Sequence, residues 1–165
     1  MKGKTRRLVV LVLVVAVLTA LVPATGLTQG NKTYFTGIEC WVADLDPGIW
    51  EELGNGNWRV TGWQLQATEE MTDPRITGDS YIVASGIVDL VVGSGHLQGT
   101  LEVVNDQGSW FGHYTFRAES WTEFDIHAIL NGSGAYEGLV ANYHYGPGGD
   151  CSPASGYIVE MGAGE

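Results

Sequence analysis

Residues suited to acid–base chemistry gather in one part of this chain: His113, Arg117, Asp125 and His127, with His144 a little further on. A carboxylate beside an imidazole fixes its tautomer and raises its basicity, which is what a general base needs. No nucleophile motif accompanies the group. The chain has no G-x-S-x-G, and neither Cys40 nor Cys151 sits in a catalytic-thiol motif, so no catalytic residue is assigned. The histidines lie in no H-x-H or H-x3-H spacing and no C-x-x-C occurs, so no metal site is expected. Asp44, Asp46, Glu51 and Glu52 offer hard oxygen ligands of the kind calcium takes. Their spacing is not that of an EF-hand loop, and a solvated acidic loop is the preferred reading. No cofactor fingerprint is present.

Aromatic residues are the second candidate set, with 6 Trp, 7 Tyr and 4 Phe. Trp41, Trp50, Trp58, Trp63, Trp110 and Trp121 either fill a core or line a pocket for an apolar or aromatic molecule. Trp58 and Trp63 are an odd number of residues apart on one strand-like run, so alternation puts them on opposite faces. At least one large aromatic is then exposed, at a mouth or in a contact surface. The candidate ligand contacts are Trp63, His113, Arg117, Asp125, His127 and Tyr143.

The elements that must position these residues are strands. Runs rich in Val, Ile, Thr, Tyr, Trp and Phe fall near 33–42, 57–68, 76–91, 96–105, 109–119, 122–130, 137–145 and 155–162. Between them stand turn residues, among them Asn55-Gly56, Gly93-Ser94-Gly95 and Asn131-Gly132. The fold class expected is all-β: a closed antiparallel barrel of about eight strands. Gly86, inside the longest run, marks an expected bend or bulge. Residues 43–56 read as a loop or short helix at the barrel end, with a lid as the functional version, and 146–154 as a second loop.

Alternation sorts the strands into faces. Trp110, Gly112, Tyr114, Phe116 and Ala118 oppose Phe111, His113, Thr115, Arg117 and Glu119. Phe124, Ile126, Ala128 and Leu130 oppose Asp125, His127 and Ile129, and Leu97, Gly99, Leu101 and Val103 oppose His96, Gln98, Thr100 and Glu102. The simpler assignment turns the apolar faces inward and leaves the histidines in water. The inverted assignment lines the interior with His113, Arg117, Asp125 and His127 and supports a cyclase or isomerase type of enzyme.

The first 24 residues stand apart. Lys2, Lys4, Arg6 and Arg7 precede an apolar run from Leu8 to Val22 that ends at Pro23-Ala24, the layout of a secretory signal peptide. Residues 1–24 are read as that signal and 25–165 as a single domain, secreted or otherwise extracytoplasmic. None of the 19 acidic residues lies in the signal but half of the 8 basic ones do, so the domain's net charge is −15. A surface of that sign repels nucleic acid and anionic membranes. In an oxidising compartment Cys40 and Cys151 pair by default, tying the first strand to the last.

One local motif carries a resemblance. Gly132-Ser133-Gly134-Ala135-Tyr136-Glu137-Gly138, entered from one strand and left by another, resembles the G-[ST]-G-x-[YF]-x-G hairpin of the allene oxide cyclase-like barrels, which include the dirigent proteins. The resemblance covers about 40 residues and implies an eight-stranded antiparallel barrel whose interior binds an apolar molecule. It carries no catalytic residue onto this chain. The function expected is non-catalytic binding of a small apolar or aromatic molecule in the barrel. An interior His/Asp/Arg enzyme and a filled, ligand-free scaffold are the alternatives.

Overall fold

The structure, a computed structural model, describes residues 31–161; the expected signal segment lies outside them. Nine strands follow in order: β1 (Thr33–Asp46), β2 (Ile49–Gly54), β3 (Asn57–Met71), β4 (Gly78–Asp89), β5 (Gly95–Asn105), β6 (Gly108–Ser120), β7 (Glu123–Gly134), β8 (Leu139–Tyr145) and β9 (Cys151–Glu160). A 3-10 turn, Pro74–Ile76, joins β3 to β4. Neighbours from β3 to β9 pair antiparallel in sequence order. β1 then pairs with β9 on one side, from Thr33↔Ile158 to Cys40↔Cys151, and with β3 on the other, from Gly37↔Met71 to Asp46↔Gln64. That double pairing closes a barrel of eight strands, and closure removes the free edges of an open sheet.

The ninth strand replaces the expected loop at 43–56. β3 has 15 residues, more than β1 covers, so its first half offers a free row of backbone groups. Ile49–Gly54 takes them up, with Pro47-Gly48 breaking the chain between β1 and β2 and Asn55-Gly56 forming the return turn. The second expected loop is shorter than 146–154 too, because β9 already begins at Cys151.

Observed faces follow the simpler assignment. Trp110, Tyr114, Ala128, Leu130, Leu97, Leu101 and Val103 are buried inside, whereas His113, Arg117, Asp125 and His127 are exposed on the outer face. Space explains the sign: the aromatic faces hold the volume that a small barrel needs as filler. Small inward residues make room for it. A Cβ on Gly156 would sit 2.5 Å from the Phe35 ring, which fills that position.

One end of the barrel is plugged. Trp110 stacks on Tyr136 from the Gly132–Gly138 hairpin, centroids 5.1 Å apart, and the Tyr136 hydroxyl donates to Asn105 Oδ1 at 2.8 Å. Trp110 Nε1 donates to the carbonyl of Arg75 (2.7 Å) and the Tyr143 hydroxyl to that of Ile76 (3.3 Å), so the 3-10 turn is sealed against the aromatic layer. Asp73 caps this turn and pairs with Arg75, which holds its carboxyl below the usual range. The Trp110 indole and the Tyr136 and Tyr143 hydroxyls thus each have a partner there.

Candidate functional site

The opposite end is open and leads into an apolar cavity of about 280 Å³. Its walls come from β2, β3, β4, β5, β6 and β7, with Trp50, Trp63, Leu65, Val88, Phe116 and Ile126 prominent among the lining residues. Glu39 and Tyr114 are the ionisable side chains that face it. Trp121, 55% exposed, stands at the rim against the backbone of Gly93. An engineered apolar cavity of ~150 Å³ holds benzene, so about twice that volume suits a bicyclic ring or a benzene ring with a short chain.

A backbone irregularity brings the tryptophans together. The β3–β4 register slips between Val60↔Gly86 and Trp63↔Ala84, so Thr61 and Gly62 form a bulge, with Gly62 at φ +70°. The extra residue resets the alternation. Trp58 stands opposite Val88, Val60 is buried, and Trp63 stands opposite the buried Ala84, all on the inner face. The expectation that Trp58 and Trp63 take opposite faces is therefore corrected. The bulge lies on β3, across from the Gly86 where a bend was expected. The aromatics that are exposed are others: Tyr34, Trp41, Tyr81, Phe111 and Trp121.

The indole N–H groups are held at the rim, which leaves the rings facing the cavity. Trp63 Nε1 donates to Asp44 Oδ1 (3.1 Å) and Trp50 Nε1 to the carbonyl of Pro47 (2.7 Å). The two rings meet edge to face, centroids 5.8 Å apart. The acidic segment weighed as a calcium loop thus has other work. Asp44 orients Trp63, Asp46 accepts from the N–H of Gly48 (2.8 Å), and Glu51 pairs with Arg59 (2.8 Å). Among the described residues no three His, Cys, Asp or Glu side chains are placed to hold a metal ion.

Two carboxyls occupy the barrel interior as a direct cross-strand pair, Glu39 of β1 and Glu69 of β3. Burial pushes Glu39 up to about 7. Glu69, 1% exposed, is raised well above the carboxylate range, first by burial and then by the charge of Glu39, against the hydrogen bond from the Tyr145 hydroxyl (3.1 Å). Its Oε2, like Ser80 Oγ, is buried with no hydrogen-bond partner among the described residues. Tyr143 and Tyr145 stack at 5.3 Å, and both hydroxyls are raised, first by burial and then by the charge of Glu69.

Of the six residues proposed from the sequence, Trp63 lines the cavity. Tyr143 is inside but fully buried, between Phe35 and Tyr145. The remaining four lie on the outer face: Arg117 opposite Asp125, Asp125 in contact with His144, His127 within 3.0 Å of Asn142 Oδ1, and His113 apart from them beside Phe111 and opposite Ile129. The barrel does not bring them to Trp63, and the inverted interior of His, Asp and Arg is absent. Sequence reasoning missed Glu39 and Glu69. For Glu69 a signal existed, since it continues the inward face of Trp63, Leu65 and Ala67; for Glu39 neither face of β1 is cleanly apolar.

The disulfide is formed between Cys40 and Cys151, directly opposed residues on β1 and β9 with Cα atoms 4.0 Å apart and a separation of 111 in sequence. Because the neighbouring Glu39 faces inward, alternation puts this bond on the outer side of the barrel seam. It lies toward the open end. No family model, curated protein or solved structure matches this chain.

Proposed function

We propose that this protein is an exported carrier that binds one small apolar or aromatic molecule in the open end of its barrel, without transforming it. The observation that carries the reading is the cavity of about 280 Å³, walled by Trp50, Trp63, Phe116 and aliphatic side chains while the other end is plugged. A one-ended, preformed apolar pocket with few polar groups is the usual form of a small-molecule site. The Gly132–Gly138 hairpin supports the same reading through its resemblance to allene oxide cyclase-like and dirigent-like barrels. Export rests on the basic-then-apolar first 24 residues, and the Cys40–Cys151 bond is compatible with it. The enzyme alternative loses its support, because His113, Arg117, Asp125 and His127 all face outward.

The test is calorimetric titration of the disulfide-bonded domain with 2-naphthol. One-to-one saturation is expected, lost in Ala84→Phe, which fills the cavity from the β4 wall. Heat that does not saturate, or affinity that Ala84→Phe leaves intact, would contradict the proposal. Native mass spectrometry of protein from its own producer would then identify the co-purifying molecule.

A further inference from the structure

The cavity is apolar except at one place. Glu39 reaches it from β1, its carboxyl raised by burial. Tyr114 faces the same space from β6. Above them Trp50 and Trp63 make an edge-to-face corner, and Trp121 and Phe116 complete an aromatic surround. Asp44 and the Pro47 carbonyl take up the two indole N–H groups, so the tryptophans offer π faces and not donors. A carboxylate at the bottom of an aromatic cage is complementary to an organic cation, because ring faces and carboxylate both attract positive charge. A neutral apolar ligand would leave the carboxyl buried without a partner, which is costly. An anionic ligand would face that carboxyl and a domain of net charge −15.

We infer that the cavity selects a primary or secondary amine on an aromatic or apolar body, its ammonium group paired with the Glu39 carboxylate and its body held among Trp50, Trp63 and Trp121. This deepens the carrier reading and rests on it. No bond is made or broken; the amine enters as its cation and leaves as such.

The groups facing Glu39 are Glu69 from β3, Tyr114 from β6 and Tyr143 and Tyr145 from β8; on β9 its partner is the non-titrating Ser152. The tyrosines stay neutral at ordinary pH because burial raises them. Burial and the charge of Glu39 both raise Glu69, which accepts from Tyr145, so Glu39, the one of the two that faces the cavity, is the carboxyl that ionises first as pH rises toward 7. Ammonium binding therefore strengthens as pH rises through that value.

The experiment compares 2-phenylethylammonium with the near-isosteric neutral 2-phenylethanol by calorimetry on the disulfide-bonded domain, at pH 5.5 and pH 8. At pH 8 the ammonium should bind roughly tenfold or more tightly than the alcohol, the scale of a desolvated cation–π and carboxylate contact. The advantage should shrink at pH 5.5 and vanish in Glu39→Gln. In Glu69→Gln it should persist with about the same pH dependence, because burial alone raises Glu39, and this keeps the idea testable if Glu39→Gln does not fold. Equal affinities for the two probes at pH 8, or an advantage unchanged in Glu39→Gln, would overturn the inference and leave the carrier reading standing. Binding of neither probe would overturn both.

Discussion

Replacing Glu39 by Gln should make the domain more stable at pH 8 and make its stability profile between pH 4.5 and 7 less steep, the slope due to Glu69 remaining. The reason is proton linkage. A carboxyl whose folded value is raised from 4.5 to about 7 binds more protons in the folded state than in the unfolded one throughout that window. The Glu39 contribution is then full below pH 4.5 and is lost as pH rises through about 7, the reverse of a salt-bridged carboxylate such as Asp73. At 1.36 kcal/mol for each pKa step, full ionisation of Glu39 costs up to about 3 kcal/mol. Gln keeps the shape and cannot ionise, so it should recover most of that amount at pH 8 and almost none at pH 4. Urea melts of both proteins at half-unit pH steps would measure it, with the general repulsion of an acidic surface common to the two and cancelling in the difference. Parallel profiles, with the same gap at pH 4 and pH 8, would refute the placement of Glu39 inside the barrel.

Other outcomes follow from the same geometry. Reduction of Cys40–Cys151, or its replacement by two alanines, should cost about 4–5 kcal/mol, the chain-entropy value for a loop of ~100 residues, with unchanged denaturant midpoints as the contrary result. Tyr136→Phe, which removes only the hydroxyl bonded to Asn105, should lower stability by about 1 kcal/mol in the same melts and leave probe affinity intact, since it seals the far end. Gly62→Val should lose about 1–2 kcal/mol through its positive φ and, by disturbing the bulge, weaken 2-naphthol binding; a silent substitution would argue against the bulge. Alanine at His113, Arg117, Asp125 and His127 together should leave 2-naphthol affinity unchanged, and a large loss would revive an interior role for these outward-facing residues.

Much of the barrel was legible because two-residue alternation is a local property. The inward faces of β5, β6 and β7 follow directly from Leu97–Val103, Trp110–Ala118 and Phe124–Leu130, and the Cys pair marked the seam between first and last strands. What escaped is non-local. The strand at 49–54 has little hydrophobic pattern of its own, and exists because β3 outruns β1 and leaves backbone groups to pair. The bulge at Thr61–Gly62 depends on how β3 must follow β4, and it alone decides that Trp58 and Trp63 share a face. The site was harder still. Histidines adjacent in sequence pattern drew attention, yet they sit on polar faces, where water serves them well. The ionisable groups inside the barrel are Glu39 and Glu69, stranded on inward positions that strand parity alone could mark only on β3.

The claim on which the rest depends is that a small molecule enters the open barrel end. The most direct measurement is a crystal of the domain soaked with 6-bromo-2-naphthol, with the bromine located by anomalous scattering. A single bromine peak enclosed by Trp50, Trp63, Phe116 and Trp121 is the predicted result. A peak on the outer face, for instance beside Phe111 and Ile129, or no peak inside the barrel at saturating ligand, would contradict the account.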